Sequence, residues 1–458
     1  MNFIQFCEIY PEYKRTAERF DNIRKNQYPQ IDKMGQVYLD YTGGNLFSNQ
    51  QLYEHFTFLQ GQVFGNPHSS NPTSQLSTKY VEETRKAVLD YFNAGDDYYC
   101  VFTANATQAL KIVGESYPFD HRSQFLLLFD NHNSVNGIRE YARRKGADFD
   151  YCPVYLEDLR IDENKLLQKL KSAQYKQHKL FAYPAQSNVS GVKHDLKWID
   201  VAHEHGWDVL LDAAAFVPTN SLNLQEVRPD YLSVSFYKIF GYPTGIGALL
   251  IHRKAFEKLD KPWFAGGTVS YASVTMPEFF LTENQERFEE GTVNYLSIPA
   301  IKTGLKWITE LGMETIQNRL HCLTDYLLKA LQSLRHSNGS KLIHVFGPEN
   351  TVKRGSTIIM NFFDSQEQKI DVSIIEGRAN KQNISIRIGC FCNPGIDEIT
   401  NCISSEELSV FYSTRDDAKY DKIHFLGKMR GAIRISLGLM TNYEDCDTYI
   451  SFCKSFLV

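Results

Sequence analysis

Lys238 closes the run Tyr231-Leu-Ser-Val-Ser-Phe-Tyr-Lys238, and a Gly/Pro-rich tail, Ile239-Phe-Gly-Tyr-Pro-Thr-Gly245-Ile-Gly247, follows at once. An earlier apolar run, Trp207-Asp-Val-Leu-Leu-Asp212, ends in an acid in the same way. Both runs read as β-strands, so an amine and a carboxylate are expected at two strand ends. That pair suits pyridoxal phosphate (PLP). The lysine would form a Schiff base with the aldehyde, and the acid would pair with the pyridinium nitrogen and keep the ring an electron sink. Asp212 alone would pass for an ordinary polar strand end; together the two predict an enzyme.

Further residues fall at strand ends. Thr103-Ala-Asn-Ala106-Thr107-Gln opens a helix directly after a strand. Small residues there let the backbone close on a phosphate that the first helical N–H groups face, and Thr107 adds a hydroxyl; the plainer alternative is an ordinary N-cap. Ser235 and Tyr237 are additional phosphate donors beside Lys238. His132, in Asp130-Asn-His-Asn-Ser, is placed to stack on a flat ring and shuttle protons, or is a surface histidine. Gln186 and Asn188 either contact the ring hydroxyl or are loop polarity. In Arg387-Ile-Gly389-Cys390-Phe-Cys392-Asn-Pro394-Gly395 a strand gives way to a loop bearing two thiols. They read as a mobile nucleophile or as buried free cysteines; a lone C-x-C is poor evidence for zinc, and no metal is expected. Arg434 could grip a carboxylate bidentately or sit in a structural ion pair.

These residues need a scaffold. From about 80 to 253, apolar runs at 99–102, 125–129, 180–183, 209–211, 231–235 and 248–251 alternate with helix-like stretches such as 76–91 and 136–145. That pattern predicts an α/β fold with a mostly parallel sheet covered on both faces, and ligands outside the carboxyl ends of its strands. A long helical stretch, 298–334, followed by strand-like 356–363, 384–388 and 432–437, predicts a smaller α+β unit. The expected division is a large cofactor-binding domain over 36–300 and a small domain from 1–35 and 301–458.

The bulk numbers exclude other classes. Hydrophobic residues make up 43% and charged residues 22% of 458, enough for a large core in a globular protein. A net charge of -5 without long like-charge blocks argues against nucleic-acid or anionic-membrane partners. The N-terminus lacks a signal-peptide pattern, and the apolar run 125–129 is far too short to span a bilayer. Nine irregularly spaced cysteines suggest free thiols and a cytoplasmic location.

The chain resembles the class V aminotransferase family, in its cysteine desulfurase branch, and within it the N-terminal domain of molybdenum cofactor sulfurases. The segments that carry the likeness run in order along nearly the whole chain. They include Tyr38-Leu-Asp-Tyr-Thr-Gly-Gly, Phe64-Gly-Asn-Pro-His-Ser69, Phe102-Thr-Ala-Asn-Ala-Thr-Gln-Ala-Leu, Tyr183-Pro-Ala-Gln-Ser-Asn188, Leu211-Asp-Ala-Ala, Ser235-Phe-Tyr-Lys-Ile-Phe-Gly-Tyr-Pro-Thr-Gly, Phe288-Glu-Glu-Gly-Thr292 and Gly389-Cys-Phe-Cys-Asn393. The resemblance implies a fold-type-I homodimer with active sites at the subunit interface. It also implies PLP as cofactor and L-cysteine or a related small amino acid as substrate. Sulfur would move to an enzyme persulfide with release of alanine, and on to an acceptor protein or cofactor. Lys238 would be the Schiff-base lysine, Asp212 the pyridinium partner and His132 the stacking residue. Ala106, Thr107, Ser235 and Tyr237 would hold phosphate, Gln186 and Asn188 would face the ring, and Thr292 would reach the neighbouring subunit's phosphate. Cys392 fits the family's Arg-x-Gly-x-x-Cys spacing from Arg387 and would carry the persulfide. Arg434 would bind the substrate carboxylate, with Arg387, Asn66 and His68 on the substrate side. Where many relatives carry Gln or His three positions after the aspartate, this chain has Ala215. It ends at Val458, just past the small domain, so delivery of sulfur to molybdenum cofactor is not expected. The alternatives are another class V PLP enzyme (an aminotransferase, epimerase or carbon–sulfur lyase) and a non-catalytic dimeric relative.

Overall fold

A computed structural model describes residues 1–414, 424–425 and 428–458. Its centre is a seven-stranded sheet of β1 (Tyr98–Thr103), β2 (Ser123–Leu128), β3 (Asp148–Cys152), β4 (His178–Pro184), β5 (Asp208–Asp212), β6 (Tyr231–Ser235) and β7 (Gly247–His252), in the order β1-β7-β6-β5-β4-β2-β3. Only β7 runs against the others, being antiparallel to both β1 and β6. Every residue of β5 and β6 is buried, as a sheet covered on both faces requires. The carboxyl ends of β1, β2, β4, β5 and β6 therefore open on one side, and the residues that follow them converge there.

The sequence pattern misses β3, an edge strand whose Asp148 and Asp150 interrupt the apolar run. It also misjudges some boundaries. The 298–334 stretch is two helices, Ala300–Leu311 and Met313–Ser333, parted at Gly312 with φ +84°. The 136–145 stretch breaks at Gly137 into Asn133–Asn136 and Ile138–Arg144.

A second sheet contains β8 (Ile343–Phe346), β9 (Thr357–Phe362), β10 (Arg387–Gly389) and β11 (Ala432–Ser436), antiparallel throughout in the order β8-β9-β11-β10. The 384–388 run is divided, because Ile384–Ser385 pairs instead with Val37–Tyr38. N-terminal helices Phe3–Ile9 and Pro11–Gln27 pack on Met313–Ser333 and the last helix, Tyr443–Lys454. Buried Arg24 meets Asp445 at 2.5 Å, Tyr443 N donates to Tyr13 Oη at 3.0 Å, and the rings of Phe6 and Tyr326 lie 5.1 Å apart. Within the second sheet, Arg387 and Arg434 are directly opposed across β10 and β11. Two like charges in that register repel, so an anion is needed between them. No described helix is long and apolar enough to cross a membrane.

Candidate active site

A cavity of about 290 Å³ lies at the carboxyl ends of the central strands. It brings together Ala106, Thr107, His132, Gln186, Asn188, Asp212, Ser235, Tyr237 and Lys238, drawn from the ends of five strands. Ala215 lines it too, leaving an open wall where a longer side chain would project.

Lys238 lies in the short helix Phe236–Phe240, which starts where β6 ends. No hydrogen bond or ion pair engages its amine among the described residues. Burial pushes its pKa down; attraction to Asp212 opposes this, while Arg434 and Arg387 add to it. Burial thus favours a neutral amine, the nucleophilic form. Asp212 ends β5 and is buried. Its Oδ1 accepts from Ala214 N at 3.0 Å and Ser233 Oγ at 3.2 Å. Oδ2 has no donor among the described residues.

The helix Ala106–Ser116 begins at the end of β1. Its N-cap Asn105 accepts from Gln108 N, and Ala106 N donates to Ser235 Oγ at 2.9 Å. The following amide, Thr107, has no intrahelical acceptor. Close approach of this turn to the sheet depends on Gly247, where a Cβ would stand 2.7 Å from the Asn105 carbonyl carbon. His132 caps Asn133–Asn136, and its Nδ1 accepts from Ser134 N at 3.1 Å. Nδ1 is therefore unprotonated and the ring proton sits on Nε2. Burial is the main cause lowering the His132 pKa, which keeps the imidazole neutral. Ser134 Oγ lies 3.0 Å from the same Nδ1 and 2.8 Å from Thr107 Oγ1, so one hydroxyl links the helix start to the histidine. The sequence reading did not anticipate Ser134.

These groups fit PLP. A helix start with Ser235, a carboxylate whose Oδ2 has no donor among the described residues, an amine without a described partner and a neutral imidazole all line the one cavity. Gln186 and Asn188 are less available than their positions suggested. Gln186 Nε2 donates to Ala215 O at 3.0 Å. Asn188 Nδ2 donates to Phe391 O at 2.8 Å, so its amide holds the cysteine loop.

That loop is docked against the cavity. Asn133 N, next to His132, donates to Cys392 O at 2.7 Å. Asn393 Nδ2 donates to Asp130 Oδ1 at 2.7 Å and to Asn188 Oδ1 at 3.2 Å. Phe391 and Cys392 both take left-handed backbone angles, φ +54° and +55°. Asp130, fully buried, also accepts from Ser187 Oγ at 2.8 Å and His194 Nε2 at 3.1 Å. Asp130→Ala strands these buried donors and is expected to cost about 3 kcal/mol, to be read as a shift in the urea unfolding midpoint. An unchanged midpoint would mean that the loop is held by other contacts.

Arg434 is buried and already engaged. Nη1 donates to Asn188 O at 3.0 Å and Nη2 to Asp40 Oδ1 at 2.8 Å, while Nε has no acceptor among the described residues. Its guanidinium lies 5.0 Å from the Phe391 ring centroid. Arg387 also clasps Asp40, with Nη2 to Oδ2 at 2.6 Å. Asp40 is thus the anion between the opposed arginines, and the carboxylate grip expected of Arg434 is taken by a residue of the chain. Thr292, Asn66 and His68 lie outside the cavity on the surface, where Asn66 Nδ2 donates to Thr292 Oγ1 at 3.2 Å.

Residues 37–448 match the family described as Aminotransferase class-V. The molybdenum cofactor sulfurase of Arabidopsis thaliana is 35% identical, the alignment covering 99% of this chain and 60% of that protein. The human molybdenum cofactor sulfurase is also 35% identical, over 91% of this chain and 49% of that protein. The chain therefore spans between about half and three fifths of the length of these curated relatives. Among solved structures, an apo cysteine desulfurase from Thermococcus onnurineus has a TM-score of 0.80 at 22% identity, covering 95% of this chain and 98% of that one. A cysteine desulfurase from Escherichia coli has a TM-score of 0.76 at 19% identity, covering 96% and 99%. At such identities the likeness speaks for the fold, which is that of fold-type-I PLP enzymes. With the family match spanning most of the sequence and the cavity carrying the matching amine and carboxylate, the chain belongs to the class V aminotransferase family and is a pyridoxal phosphate enzyme.

Proposed function

We propose that this enzyme is a cysteine desulfurase, taking sulfur from L-cysteine onto Cys392 and releasing alanine. The observation that carries the proposal is the docking of the Cys392 backbone on Asn133, one residue from His132 at the cavity wall. When bound, the cofactor supplies an electron sink for negative charge at the substrate Cα. The chain's residues do the rest. Thr107 and Ser235 would hold the phosphate, Asp212 Oδ2 the ring nitrogen, and His132 the ring face. The Lys238 amine, favoured in its neutral form by burial, would move the proton at Cα. Cys392 Sγ would form an S–S bond to the substrate sulfur as the Cβ–S bond breaks, and Cβ would gain a proton. The sum, cysteine plus thiol to alanine plus persulfide, needs no outside oxidant. Cys390 is the weaker candidate, because partial burial and then Asp397 push its thiol pKa up. Incubation with L-cysteine should add one sulfur atom to the Cys392 peptide by mass. Pyruvate and sulfide without that adduct would favour a lyase instead.

The sulfur acceptor would be a separate protein or small cofactor, and the setting cytoplasmic. A second copy of the chain would complete the site. Thr292 stands exposed on the surface, and a nearby hairpin, Val269–Ala272 with Phe279–Leu281, exposes Tyr271 and Phe280. A solution mass twice 52.7 kDa is expected; a monomer with full activity would exclude this arrangement.

A further inference from the structure

A second cavity, of about 210 Å³, lies where the helix Met313–Ser333 meets residues 351–356. Lys193, Lys353, Arg354 and His321 line it, and among the described residues no aspartate or glutamate does. Arg354 is only 5% exposed. Its Nη1 donates to Pro348 O and its Nη2 to Thr357 O at 3.1 Å, but Nε has no acceptor among the described residues. No described carboxylate pairs with it. Burial pushes its pKa down, and like-charged Arg160 adds to the effect. A guanidinium nonetheless stays charged in proteins, and a buried charge with no counter-charge is strongly unfavourable.

Two more donors face the same void. Lys193 is half-buried, has no ion-pair partner among the described residues, and is pushed down in pKa by burial alone. Lys353, by contrast, is neutralised by Asp195 at 3.1 Å. Thr324 is 2% exposed and its hydroxyl has no partner among the described residues. Arg354 Nε, the Lys193 amine and the Thr324 hydroxyl all lack what one small anion with several acceptor atoms would give them.

We infer that this cavity binds a small tetrahedral oxyanion of the phosphate class, at a site separate from the helix start at Thr107. The two cavities share a wall. Gln317 Nε2 donates to Asn220 Oδ1 at 3.5 Å, and Asn220 Nδ2 to Gln186 Oε1 at 3.4 Å; Gln186 lines the first cavity. Gly355, next to Arg354, packs so closely on Gln186 that a Cβ there would stand 2.3 Å from Oε1. A narrow void lined by Lys238, Gln186, Thr219 and Ser356 lies between the two.

The test uses the PLP-loaded protein, in which the cofactor's own phosphate fills the first cradle. Inorganic phosphate is titrated by calorimetry at constant ionic strength, with chloride as the control. One saturable event is expected, weakened roughly tenfold by Lys193→Ala and by Thr324→Val, the loss of one charge-assisted hydrogen bond each. Lys193→Glu brings its own carboxylate to Arg354, so it should abolish phosphate binding while raising the thermal midpoint in phosphate-free buffer. No saturable binding by the wild-type protein, or binding that Lys193→Glu leaves unchanged, overturns the inference. Glycerol phosphate distinguishes the sources. Competition with phosphate marks a site for the phosphate group of a larger molecule, and failure to compete marks one for the free ion; either result upholds the site.

Discussion

Lys238→Ala protein is expected to lose its cofactor on gel filtration and to turn over L-cysteine on the order of 10³-fold more slowly, or worse. The reason lies in what remains. Asp212, the helix start and Ser235 can still hold the ring and phosphate without a covalent bond, so the variant should take up PLP reversibly. The amine itself has no substitute, because among the described residues no other lysine lines the cavity. Borohydride treatment should add a pyridoxyl group to the wild-type chain and nothing to the variant. A retained, reducible adduct would assign the anchor to another residue and remove the basis of the proposed chemistry.

Cys392→Ser should keep the cofactor, its spectrum and its fold, yet stop alanine formation from L-cysteine, with a loss of about 10⁴-fold or more, since removing a catalytic nucleophile can cost on the order of 10⁶-fold. The loop geometry is expected to survive, because its tethers run from the Cys392 carbonyl, the Phe391 carbonyl and the Asn393 side chain rather than from the thiol. Cys390→Ser serves as the control and should remain near wild-type activity. Full turnover by Cys392→Ser would move the sulfur to Cys390 or point to a lyase that needs no thiol; separate assays of alanine, pyruvate and sulfide tell these apart.

The sheet and the cofactor pair were legible because each depends on local pattern. Strands β5 and β6 are apolar runs ending in Asp212 and Lys238, and the rule that places ligands at strand ends did the rest. Strand β3 and the second sheet's β8 were not read, since alternating charge or short length conceals them. The site's supporting groups were illegible for a different reason. Asp40 meets Arg387 across 347 positions, and Asp130 meets Asn393 across 263. No local spacing encodes such contacts. Asn188 was placed correctly after β4, but its role changed once the cysteine loop arrived to claim its amide.

Phe391 and Cys392 each occupy the left-handed backbone region, at a cost of about 1–2 kcal/mol per residue. The hydrogen bonds from Asn133, Asn188 and Asn393 return about 1 kcal/mol each. The two sums are of similar size, so the three amides offset the cost of holding both residues in that region. Three separate segments thus fix the backbone from which the Cys392 thiol projects beside the cavity, and the strain of its left-handed turn is met by side chains far from it in sequence.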